Sequence, residues 1–179
     1  MKKNVIVFGL ISGLIVSVLM VIGMAWCYKS GNHDGNMILG YASMLLAFSL
    51  IFVGVKNYRD KYNNGVISFG KAFKIGLYIS LIASTMYVLA WLIDYYLFMP
   101  DFMDKYAAHE MAKAQSSGAS AADIAAKVKE ISYMKRMYSS FIWVVLFTYM
   151  EILPVGLIVS LITAFILKRK AKSGNVAVA

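Results

Sequence analysis

The chain has 179 residues, 60% of them hydrophobic, two prolines and a formal net charge of +9. A mean hydropathy of +0.67 excludes an ordinary water-soluble domain, whose surface must be largely polar. The apolar residues fall in four long runs rather than in short alternating ones, which points to an all-α membrane protein and away from a β-barrel.

The first run, residues 5–27, follows Lys2 and Lys3. It is longer than the roughly 7–15 residues of a signal-peptide core, and no small-x-small cleavage pattern follows it. Trp26 is too bulky to precede the cysteine of a lipoprotein box. The run therefore reads as an uncleaved transmembrane helix. Gly9, Gly13 and Ser17 recur in it every fourth residue, as helix-packing stripes do in membranes. Cys27 is the only cysteine, and His33 and His109 are the only histidines. An internal disulfide is excluded, and neither a metal nor a cofactor is expected.

The second span is expected at 37–55, with a less regular small set, Gly40, Ser43 and Ala47. A basic loop follows, carrying Lys56, Arg59, Lys61, Lys71 and Lys74. Ser68 is placed to cap the next helix, whose first turns would hold Phe69, Ala72 and Phe73 at the membrane edge while Lys71 and Lys74 reach the headgroups. The third span, about 75–98, continues the stripe Ala72, Gly76, Ser80 and Ser84. Near its far end lies Asp94, where water or the basic Lys135 and Arg136 could reach it.

Residues 99–138 are the one sizeable piece expected outside the bilayer. Pro100 suits a first helical turn, and Asp101 and Asp104 suit the positive end of the helix dipole. The run Ser-Ser-Gly-Ala-Ser from Ser116 to Ser120 breaks the pattern, and Ser120 with Asp123 resembles a capping box. Ile124, Val128, Ile131 and Tyr138 then recur on one face. Two helices in a hairpin are expected here.

The fourth span, 139–167, carries Gly156, Ser160 and Ala164 at helical spacing. Residues 1–170 thus read as one four-helix transmembrane bundle, and 171–179 as a flexible cytoplasmic tail.

Four spans put both termini on one side, and basic flanks are retained in the cytoplasm. The N-terminus, the second loop and the tail, with Lys168, Arg169, Lys170 and Lys172, hold eleven basic residues against seven opposite. The termini are therefore expected in the cytoplasm of a cell, or inner, membrane, with the hairpin extracytoplasmic. The charge reads as topology and as attraction to anionic headgroups, not as a nucleic-acid footprint. Trp26, Tyr28, Trp91, Tyr95, Tyr96, Tyr138 and Trp143 would mark the outer interface.

The segment from Tyr58 to Leu77, with Ser-Phe-Gly-Lys-Ala-Phe-Lys as its core, the run Pro-Asp-Phe-Met-Asp-Lys-Tyr and the basic tail resemble the domain-of-unknown-function family 4199 (DUF4199), found chiefly in Bacteroidota. The likeness runs from Val5 to about Lys170. It implies a small polytopic membrane protein and no assigned activity. Arg59, Lys71 and Lys74 are read either as an interfacial anchor or as a site for an anionic lipid.

One residue stands out in the fourth span. Glu151 lies about 12 residues in, near the midplane at about 1.5 Å per residue, and a charge there costs several kcal/mol unless it is partnered. Pro154 frees the carbonyl of Met150 beside it. Two readings stay open: a buried hydrogen-bonding carboxyl, with Thr148 and Tyr149 as local partners, or a proton or cation site beside a kink. Asp94 lies at a different depth and is no paired-carboxylate partner.

Hydrolase, zinc-protease and nucleotide-loop motifs do not occur. The expected function is that of a non-enzymatic accessory or scaffold subunit of the cell envelope. Its partners would be membrane lipids and another membrane protein or further copies of itself. The alternative is a small proton- or cation-coupled transporter or channel using Glu151.

Overall fold

A computed structural model describes residues 1–30 and 37–169. His33, Lys170, Lys172 and the expected tail at 171–179 lie outside the described residues. Among these described residues six α-helices follow in order: α1 Lys2–Ser30, α2 Met37–Tyr62, α3 Phe69–Ile93, α4 Phe102–Ser116, α5 Ala121–Tyr138 and α6 Phe141–Leu167. A π-helical turn, Asp94–Phe98, continues α3. Among the described residues there is no β-strand, only an isolated bridge between Ile67 and Arg169.

Among the described residues four helices are long and apolar enough to cross a membrane: α1, α2, α3 with its π-turn, and α6. The first three outrun the apolar cores expected from sequence because flanking lysines, asparagines and tyrosines continue the helix, whereas α6 starts two residues later than expected, at Phe141 after its N-cap Ser140. Helix α2 stops where Asn64 and Gly65 turn left-handed, at φ of 51° and 75°. Ser68 then restarts the chain as the N-cap of α3, its hydroxyl accepting from the Lys71 amide at 3.3 Å.

Helix α3 packs on α1, α2 and α6, and α2 packs on α1 and α6. The α2–α3 pair is thus the shared diagonal of the assembly, and α3 needs small residues on two sides. Against α1 the small partners are Gly9 and Gly13. A β-carbon built on Gly9 would lie 2.8 Å from Ile82 Cβ, and one on Gly13 would lie 2.6 Å from Met86 Sδ. Against α6 the stripe Gly76–Ser80 meets Gly156–Ser160, with Gly76 placed 2.9 Å from Ser160 Cβ by the same measure.

The small set expected in α2 is corrected. Gly40 has nothing within 4 Å, whereas Gly54 is the close approach, with Ile79 Cδ1 at 2.8 Å and Phe8 Cγ at 3.0 Å from an added β-carbon. Ala47 is buried, and its carbonyl accepts from Ser12 Oγ at 2.8 Å. Asn4 adds two bonds between α1 and α2, donating to the Gly54 carbonyl at 2.9 Å and accepting from Asn57 Nδ2 at 2.8 Å. Each such bond contributes on the order of 0.6 kcal/mol in membrane proteins.

Large apolar side chains cover the outside, among them Ile38 at 82%, Leu97 at 71% and Ile142 at 67% exposure. A surface of this kind suits lipid and not water.

The far end of the assembly holds a second apolar cluster of Trp91, Tyr95, Met99, Met103 and Val144. This corrects the aromatic belt. Trp91 and Tyr95 point inward, and Trp26, Tyr96 and Trp143 are the exposed members. The Trp91 ring meets Phe102 edge-on at 5.4 Å, so α4 is seated on the end of α3.

Pro100 lies before α4, not in its first turn. Asp101 occupies the N-cap position without a side-chain cap bond, and Asp104 falls in the first turn. At α5 the capping box forms as the spacing predicts: Ser120 Oγ accepts from the Asp123 amide at 3.2 Å, and Asp123 Oδ2 accepts from the Ser120 amide at 3.3 Å. Of the apolar face expected on α5, Ile131 is buried but Val128 is 46% exposed. Helices α4 and α5 are joined by Lys135–Asp104 at 2.5 Å and Lys127–Glu110 at 3.1 Å.

Candidate functional site

The inward stripe of α6 is Val144, Thr148, Ile152, Gly156 and Ser160. Glu151 lies off that stripe and is exposed on the flank of the helix. Ten residues separate it from the start of α6 at Phe141, so it sits about 15 Å along the helix axis. Thr148 does not partner it, since its hydroxyl donates to the Val144 carbonyl at 2.7 Å. Tyr149 turns instead to Thr85 of α3, with the two hydroxyls 2.8 Å apart. Tyr87 of α3 and Tyr138 are the side chains that interact electrostatically with the Glu151 carboxyl.

Pro154 is exposed on the same flank, and α6 continues through it. Its missing N–H deprives the Met150 carbonyl of its helical donor. Met150 is 70% exposed. A carboxyl and a carbonyl short of a donor thus share one outward face in the middle of an apolar helix.

Asp94 is somewhere else entirely. It opens the π-turn, is 9% exposed, and its Oδ2 has no hydrogen-bond partner. The cations expected to reach it are occupied or turned away: Lys135 pairs with Asp104, and Arg136 is exposed on α5. Asp94 instead lines a cavity of about 540 Å³ between α1 and the end of α3. Glu151 does not line that cavity, so the two acids form no common site.

At the mouth of the cavity the hydroxyl of Tyr28 in α1 donates to Asp101 Oδ1 at 2.5 Å. Lys105 sits 3.6 Å above the Tyr28 ring and 3.0 Å from Asp101 Oδ2. The Tyr28 hydrogen bond and then Lys105 hold the Asp101 carboxyl below the usual carboxylate range.

At the opposite end, the three basic residues read as lipid contacts have separate partners. Arg59 is paired with its neighbour Asp60 at 2.6 Å. Lys71 donates to Asn63 Oδ1 at 3.1 Å and lies over the Tyr58 ring. Lys74 is exposed, with Tyr78 beneath it at 5.9 Å. The buried Ile67 exchanges backbone hydrogen bonds with Arg169 at 3.0 and 2.8 Å, which clips this loop to the end of α6.

Sequence reasoning did not find Gly54, Asn4, or the links Tyr87–Glu151 and Tyr28–Asp101. Gly54 was discoverable, because Ala47 and Gly54 stand two turns apart on one helical face. The others join residues far apart in the chain, and no local pattern marks them.

Four apolar helices of spanning length, packed through small residues, define the class as a multi-pass α-helical membrane protein. Within that class, the chain belongs to the family described as "Protein of unknown function (DUF4199)", whose model matches residues 7–169. Neither a curated protein nor a solved structure matches the chain.

Proposed function

We propose that the chain is a non-enzymatic accessory or scaffold subunit of the cell membrane that acts by associating with another membrane helix through the outward flank of α6. The observation that supports this is Glu151, exposed half-way along an apolar helix beside the Met150 carbonyl that Pro154 leaves without its donor. Tyr87 offers the carboxyl one hydroxyl, which leaves its other acceptor positions and the Met150 carbonyl unfavourable in hydrocarbon by several kcal/mol, and a partner helix that supplies donors relieves this. In this reading the spans form a four-helix bundle in the inner membrane. The basic Lys2, Lys3, Lys56 and Lys74 face the cytoplasm, and α4–α5 form an extracytoplasmic hairpin.

The test is assembly mass in mild detergent, read by light scattering on the purified chain and on membranes cross-linked through a cysteine at Ile158. Glu151→Leu is expected to lose the cross-linked species while the monomer keeps its melting temperature. Unchanged cross-linking would overturn the reading. Proton- or cation-coupled transport is the second reading, because Tyr87 on α3 offers the Glu151 carboxyl a hydroxyl across a helix interface. It predicts that Glu151→Gln abolishes the cellular role with cross-linking intact.

A further inference from the structure

The cavity beside Asp94 has the features of a ligand site. Its volume of about 540 Å³ falls in the range of about 300–1,000 Å³ typical of small-molecule pockets. Ala25 on α1 and Ala90 on α3 leave the room, and Ile93 and Phe98, themselves 53% and 69% exposed, wall it where it opens onto the apolar outer surface. One buried acid is present in it, and Asp94 Oδ2 has no partner.

The backbone makes this placement deliberate in a physical sense. The Met99 amide bonds to the Asp94 carbonyl at 2.9 Å, the wide spacing of a π-turn. Such turns carry a conformational cost and gather at functional sites. The charges nearby do not compensate Asp94. Lys105 is spent on Asp101 and the Tyr28 ring, and Lys135 on Asp104. A carboxylate walled by hydrocarbon is stabilised by a cation that also donates hydrogen bonds.

We infer that this cavity binds an amphiphile that carries a primary ammonium head on an apolar chain, with the ammonium donating to Asp94 and the chain leaving between α1 and α3. An aminolipid with an ethanolamine head and a free long-chain amine share that chemistry. The inference is independent of the role of Glu151.

The test is ligand retention by delipidated protein in maltoside, read by native mass spectrometry. Four probes are compared: dodecylamine, dodecanol, phosphatidylethanolamine and phosphatidylcholine. Dodecylamine is expected to be retained about tenfold over dodecanol, the margin a charge-assisted hydrogen bond supplies. Phosphatidylethanolamine retained over phosphatidylcholine would identify a lipid source, and dodecylamine alone a free amine. Asp94→Asn should erase the preference for the ammonium probes, and Ala90→Phe should exclude all four with Asp94 in place. Equal retention of dodecylamine and dodecanol by the unaltered chain overturns the inference whether or not the variants fold. So does a preference unchanged in Asp94→Asn.

Discussion

Gly156 on α6 and Ser80 on α3 are in direct backbone-to-side-chain contact: a β-carbon at Gly156 would stand 2.9 Å from Ser80 Cβ and closer still to its hydroxyl. The Ser80 hydroxyl is buried and without a partner, so the contact is one of shape and not of hydrogen bonding. Lipid tails are as apolar as leucine, and close approach is what remains to hold such helices together.

Gly156→Ala is therefore expected to destabilise the fold by about 1–3 kcal/mol, the usual cost of overpacking. Ser80→Gly in the same chain should recover most of it, since the two nearest obstructing atoms are those of Ser80, with Phe48 Cζ next at 3.0 Å. Gly40→Ala, where nothing lies within 4 Å, serves as the control and should leave the melting temperature in detergent unchanged or slightly raised. If Ser80→Gly brings no recovery, the α3–α6 contact is not the one described.

The loop between α2 and α3 separates two lysines that the sequence treats alike. Lys71→Gln removes a bond to Asn63 and a cation over Tyr58, and should speed hydrogen exchange at residues 63–67. Lys74→Gln removes an exposed charge, worth about 1 kcal/mol of attraction to an anionic surface, and should lower retention of phosphatidylglycerol with exchange unchanged. Equal behaviour of the two variants in both measurements would contradict this division.

The tie between α1 and α4 should depend on pH. Asp101 is held below its ordinary value by Tyr28 and Lys105. A depressed folded-state value means that the stabilisation is complete above the ordinary carboxylate value of 3.8 and is lost as pH falls through the lower, folded-state one. Melting curves between about pH 5 and pH 2 should show the loss in the unaltered chain and a smaller one in Tyr28→Phe. Parallel curves would place the titrating group elsewhere.

The charge count predicts an orientation that direct measurement can test. In a Cys27→Ser background, a cysteine at Ala122 should react with an impermeant maleimide on intact cells, and one at Gly65 only after lysis. The reverse pattern would invert the topology.

Helix number and type, the stripe on α3, the caps at Ser68 and Ser120 and the family were all legible in the chain. Each depends on neighbours within a turn or two, where hydropathy, capping and small-residue spacing act directly. Glu151 and Asp94 stood out for the same local reason, as acids within apolar runs.

What each acid faces was decided only by the tertiary structure. A rotation of about 100° per residue separates the inward stripe at Thr148 and Ile152 from the flank that carries Glu151. Which flank meets a neighbour depends on how α3 is shared between α1 and α6. Asp94 lost its expected basic partners because α4 and α5 pair Lys135 with Asp104, a contact between residues 31 positions apart. Helix periodicity is a local property, but the azimuth at which a helix is buried depends on every helix packed against it. Composition placed two acids in an apolar protein, and packing alone turned one to the outer surface and the other into a cavity.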